Sequence, residues 1–145
     1  MVNNMTHTIR FEKNPSADDI QILNDGIMEQ AKQKKGMKQL DFFAFFIRDD
    51  NEKIIGGCAG DNMYGALFVA QLWVTEALRG QGYGTKLMRA AEDLAIKNSC
   101  NFIAVNTMDW EALDFYKKLG FYVEFERHGY DKDSTFYFLR KNFEK

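Results

Sequence analysis

The sequence holds a single proline, Pro15, and two cysteines, Cys58 and Cys100. No proline-rich linker, low-complexity tract or internal repeat breaks the chain. The cysteines lie far apart and neither has a neighbour at metal-ligand spacing, which excludes a disulfide framework and leaves no metal site to expect. They fit a reduced, cytoplasmic protein. Long apolar runs are missing as well: the longest, residues 42–47, is far too short to cross a bilayer. The first residues lack the charged start and apolar stretch of a secretion signal. Charge of one sign is also scarce. The formal net charge is −2, so no global basic field recruits nucleic acid. A local group, Lys32, Lys34, Lys35 and Lys38, reads as a solvated helix end favoured by the helix dipole.

What is present is a globular balance, with 46% apolar and 28% charged residues in 145. That length suits one domain, residues 1–145. Ser16 and Asp18 offer a helix cap after Pro15, and Ile20, Leu23, Ile27, Met28 and Ala31 recur at helical spacing. A short strand is expected before it, over residues 8–12. Residues 42–48 and 53–62 read as a hairpin about Asp49-Asp50-Asn51, and residues 66–74 as a long central strand. A second helix carries Leu87, Met88, Ala91, Leu94 and Ala95, followed by a buried strand at residues 102–106. A third helical stripe, Ala112, Phe115, Tyr116 and Leu119, stops at Gly120. Strands at residues 123–126 and 135–140 close the chain around a polar loop, residues 128–134. Hairpins require antiparallel pairing and the central strand–helix–strand unit requires a parallel pair. The expected fold is α/β: a central, twisted, mixed sheet with helices on both faces.

Between the central strand and the second helix lies Arg79-Gly80-Gln81-Gly82-Tyr83-Gly84-Thr85-Lys86. Glycines let backbone amides approach an anion, and a helix start adds free N–H groups and a favourable dipole. Arg79, Lys86 and the Thr85 hydroxyl add charge and hydrogen bonds, a chemistry suited to pyrophosphate. The spacing fits neither a Walker loop nor a dinucleotide fingerprint: counted from Gly80, Thr85 stands where each would need glycine, and counted from Gly82 the fingerprint would need it at Leu87.

The pattern Arg-x-x-Gly-x-Gly at Arg79, Gly82 and Gly84 instead resembles the acetyl-CoA motif of the GNAT acetyltransferases. A second segment is similar to that family's Asn-x-x-Ala-x-x-x-Tyr-x-x-x-Gly-Phe, with Ala112, Tyr116, Gly120 and Phe121 in place and Asp109 where asparagine is frequent. The resemblance covers residues 54–140 well and the first third only in topology. It implies that the central strand splays from its parallel neighbour and that pantetheine fills the gap. Backbone groups of Leu72, Trp73 and Val74 would meet pantetheine. Amides of Gln81, Gly82, Tyr83 and Gly84, with Thr85 and Arg79, would take the phosphates. An oxyanion donor is implied at the backbone near Val74.

By the same resemblance the activity is transfer of an acetyl group from acetyl-CoA to a primary amine. Tyr116 would protonate the departing thiolate. The proton acceptor is open among Glu76, Asp61 and Tyr64, with water as a substitute; Glu76 is taken with Tyr116 as the catalytic pair. His7 and His128 read as solvent-facing. Asp41, Asp61, Asp131 and Asp133, with Tyr64 and Tyr130, suit a cationic acceptor, so a small polar amine is expected rather than a nucleic acid or membrane. The competing readings are a non-catalytic CoA-binding domain and an acetyltransferase for protein lysines or N-termini. A homodimer is open to such a chain, and nothing in the sequence decides it.

Overall fold

The computed structural model describes residues 6–144. It divides into two compact units, Met1–Gln39 and Leu40–Lys145. In the first unit, residues 8–12 form no strand. Ile9 and Phe11 alternate with polar neighbours as a strand would, but both side chains are solvent-exposed. Alternation alone does not make a strand, because the backbone also needs a partner for its N–H and C=O groups. The helix that follows, α1 (Ala17–Lys35), begins where Ser16 Oγ accepts from the Asp19 amide at 3.1 Å. It ends at Gly36, whose φ of 65° only glycine adopts cheaply. Of the expected apolar stripe on α1, Met28 is buried, while Ile20, Leu23 and Ile27 are exposed.

The second unit is a six-stranded sheet: β1 (Asp41–Arg48), β2 (Ile54–Met63), β3 (Ala66–Val74), β4 (Phe102–Met108), β5 (Tyr122–Tyr130) and β6 (Ser134–Asn142), in the order β1-β2-β3-β4-β6-β5. Among the described residues only β3 and β4 pair in parallel. Their connection carries α2 (Tyr83–Lys97), and α3 (Leu113–Lys118) leads into β5. The β1–β2 turn is tied by Asp49 Oδ1, which accepts from the amides of Asn51 and Lys53 at 2.8 and 3.0 Å. The sequence expectation matches this sheet, apart from the missing strand at residues 8–12 and strand ends that run further, to Met108 and Tyr130.

One face of the sheet is the core. Cys58, Leu67, Val69, Ile103, Val105 and Leu139 are buried with Leu87, Met88, Ala91 and Ala95 of α2. Each large aliphatic side chain so buried contributes about 1.5–3 kcal/mol. Lys141 ties this layer together: its Nζ donates to Glu92 Oε1 on α2 at 3.0 Å and to the Leu119 carbonyl after α3 at 2.8 Å. On the other face, Phe102, Ala104 and Asn106 alternate with the buried residues of β4. There Arg140 lies 3.7 Å over the Phe102 ring and Arg127 5.0 Å over Phe138. No helix among the described residues is long and apolar enough to cross a membrane.

Candidate functional site

Parallel pairing of β3 and β4 runs from Ala66↔Phe102 to Val69↔Val105 and stops. Both strands continue, to Val74 and Met108, so they part and leave a gap in the middle of the sheet. A bulge starts the divergence: β2 pairs Ala59 with Gln71 and Gly60 with Val69, leaving Ala70 as the extra residue. Glycine is required on the facing strand, since a Cβ on Gly60 would collide with the Phe68 carbonyl oxygen. The gap opens into a cleft of about 1050 Å³. Its β3 wall is Val69 to Val74, its β4 wall Asn106 and Thr107, and α3 closes it with Phe115 and Tyr116.

The glycine loop forms one end of this cleft. A 3-10 turn, Glu76–Leu78, leads into Gly80 and Gly82 with φ of 77° and 87°. No atom lies within 4 Å of where a Cβ would sit on either. Space and backbone conformation thus agree on an open cradle. Gly82 caps α2 without a side chain, so the first-turn amides of Tyr83, Gly84 and Thr85 have no intrahelical acceptor and face an incoming anion. Gly80, Gly82, Tyr83, Gly84 and Thr85 all line the cleft. Arg79 lines it too, with its Nε donating to the Val74 carbonyl at 3.0 Å, which pins the strand end to the loop. Gln81 does not line it; its side-chain amide turns back to the Ala77 carbonyl at 3.0 Å.

Leu72, Trp73 and Val74 line the cleft. Tyr116 is 6% exposed, packed edge-on against Phe115 and Phe121. Burial first, then the negative charge of Glu111 and the Cys58 thiol, push its phenol up to about 12. The group is therefore a proton donor over the whole working range. Glu76 is exposed and lies outside the cleft lining, and Tyr64 sits in the β2–β3 turn, at the opposite end of β3 from Val74. His128 is exposed and contacts Thr135 and Glu126. Asp61 is partly buried, and burial raises its carboxyl.

Some cleft residues went unread in the sequence. Thr107 is buried, and its Oγ1 accepts from the Ala112 amide at 3.1 Å. Glu111 Oε1 accepts from the Met108 amide at 2.8 Å. These two bonds shape the turn that presents Tyr116. The signal was local: an acid and a hydroxyl flanking a strand end, where side chains commonly satisfy free amides. Asp109, at the motif's asparagine position, is exposed and does not line the cleft. Among the described residues no three His, Cys, Asp or Glu side chains gather as a metal site needs.

Comparison with known proteins agrees with this geometry. The Acetyltransferase (GNAT) family matches residues 12–121. Acetyltransferase Atu2258 of Agrobacterium fabrum is 41% identical over 75 residues, covering 52% of this chain and 55% of that protein. A blasticidin-S acetyltransferase of Streptomyces morookaense is 31% identical over 85 residues, 58% of this chain and 62% of that one. The chain thus spans less than two thirds of these relatives' length. A crystal structure of an acetyltransferase from Agrobacterium tumefaciens superposes with a TM-score of 0.83 at 27% identity, covering 94% of this chain and all of that one. With its strands parted beside a glycine loop and most of its length matched, this chain belongs to the GNAT acetyltransferase family.

Proposed function

We propose that the chain transfers the acetyl group of acetyl-CoA to a primary amine of a small polar acceptor by direct attack. The observation that carries this is the parting of β3 and β4 beside a loop of unpaired amides. The cradle fits the co-substrate: a pyrophosphate reaches the amides at Gly82 to Thr85, and an extended pantetheine takes the place of a strand along β3. On its β4 side, β3 beyond Val69 has no paired strand among the described residues, so its backbone groups there serve the chain that enters.

Tyr116 supplies the proton for the leaving sulfur. Its depth in the core keeps the hydroxyl protonated and fixes its aim. Glu76, exposed and in the turn that leads into the phosphate loop, is poorly placed to take the amine's proton. Service of all 145 residues as one acetyltransferase domain is part of this reading, since the family match runs from residue 12 in the first unit to residue 121 in the second. So is action in the cytoplasm, where thiols such as Cys58 and Cys100 stay reduced.

A small polar acceptor is supported by the name of the blasticidin-S relative and by the Asp131–Asp133 turn between β5 and β6. The test follows release of CoA thiol from acetyl-CoA with spermidine, kanamycin, lysine and a lysine peptide in parallel. Transfer to one of the small amines is expected. Preference for the peptide would move the acceptor to proteins, and no transfer to any would remove the activity.

A further inference from the structure

The cleft is bounded by both faces of the sheet. Leu72, Val74 and Thr107 border it on the α2 side, with the phosphate loop. Gln71, Trp73 and Asn106 border it on the side away from α2. Asp61 lies outside the cleft lining, on the strand beside this second mouth. In the strand register Asp61 pairs with Phe42 on β1 and with Phe68 on β3, and Phe68 pairs with Ala104. These residues alternate with buried Cys58, Val69 and Val105, which places Asp61 on the face that Gln71 and Asn106 share. The Asp61 row is two residues along β2 from the Ala59–Gln71 row, about 7 Å at strand spacing.

Oδ1 of Asp61 is buried and has no hydrogen-bond partner among the described residues. Buried carboxylate oxygens are ordinarily paired, because an unpaired one costs folding free energy. No such pairing offsets the burial of Oδ1. The side chains beside it on β1 and β3, Phe42, Ala44 and Phe68, carry no charge. In its row the nearest cation is Arg140 on β6, three strands away and engaged with Glu124, Asn142 and the Phe102 ring. Burial accordingly raises the carboxyl above its ordinary range.

We propose that Asp61 is the proton acceptor of the reaction, serving an amine that enters through the sheet face opposite α2. This rests on the acetyltransferase reading above. The acceptor's ammonium gives one proton to Asp61, leaving a neutral nitrogen. Its lone pair attacks the thioester carbonyl carbon, the C–S bond breaks, and the sulfur leaves with the electron pair. Tyr116 donates its proton to that sulfur and recovers one from the acetylated nitrogen. Asp61 then releases its proton to water.

The test compares wild type and Asp61→Asn across pH, using acetyl-CoA and whichever of spermidine, kanamycin, lysine or the lysine peptide the wild type acetylates fastest. At about pH 7 the variant should lose roughly a hundredfold in kcat/KM. The deficit should shrink as pH climbs towards about 10, where solvent deprotonates the amine unaided. Acetyl-CoA affinity by calorimetry should be unchanged. Equal kcat/KM, or a deficit constant with pH, overturns the assignment while the acetyltransferase reading stands. Failure of the wild type to acetylate any of the four overturns both. If the variant does not fold, carbon-13 titration of the wild-type Asp61 carboxyl decides instead. Its midpoint should coincide with the acid limb of kcat/KM, and a mismatch overturns the proposal.

Discussion

Tyr116 and Asp61 have the same physical perturbation and opposite consequences. Both are acids whose charged form is disfavoured by burial. For a phenol at about 12, this secures the neutral donor. Tyr116→Phe should lower turnover roughly a hundredfold in stopped assays while leaving acetyl-CoA affinity intact. Unchanged turnover, with chemistry limiting, would make the ring merely a packing element. The stability sign follows from the same shift. The unfolded phenol ionises from 10 and the folded one only near 12. Stability is therefore unaffected below 10 and falls as pH rises between the two values, a loss that Tyr116→Phe should abolish in denaturant titrations.

For Asp61 the folded carboxyl also sits above its ordinary value of 3.8, so the penalty is absent in acid and appears as pH rises past the unfolded value. Asp61→Asn should melt higher than wild type at about pH 7 and equally at about pH 3. A lower melting temperature at neutral pH would show that the carboxylate has a stabilising partner. The place of Tyr116 in the cleft was legible in the sequence, because a motif set its spacing. The burial of Asp61 was not, because burial and facing depend on register, and register is a property of strand pairs.

At the level of elements, the strands were readable from aromatic and β-branched runs, and α2 from its apolar spacing. Residues 8–12 misled because an alternating pattern is the same whether or not a neighbouring strand exists. The parting of β3 from β4 was supplied by family resemblance; nothing in residues 70–74 announces that pairing ends. Its local cause, the Gly60–Ala70 bulge, invites a test. Gly60→Ala must push β2 away from the Phe68 carbonyl and should destabilise by about 1–3 kcal/mol in urea unfolding. Gly82→Val places a β-branched residue at a φ of 87° inside the phosphate cradle. Calorimetry should show acetyl-CoA affinity at least tenfold weaker, from strain and lost access together. Equal affinity in a folded variant would remove the loop from the site.

For the whole molecule, a ligand that replaces a missing strand should stiffen the sheet it enters. Acetyl-CoA at a hundred times its dissociation constant should add about 2.7 kcal/mol to unfolding, read as a higher melting temperature. Cys58 and Cys100 are 1% and 2% exposed, and burial pushes the Cys58 thiol up to about 11. Native protein should give no fast reaction with a disulfide reagent, and both thiols should react after denaturation. Assays that count released CoA thiol then need no correction for the enzyme's own.

A parted sheet is a wall with a doorway rather than a pocket with a floor. The co-substrate comes to that doorway from the α2 side and, on the assignment of Asp61, the amine comes from the other. Neither has to leave before its counterpart arrives, and among the cleft-lining residues no cysteine waits to carry the acetyl group between visits. The kinetics should follow: initial-rate plots at varied concentrations of both substrates should intersect rather than run parallel, and CoA should compete with acetyl-CoA but not with the amine.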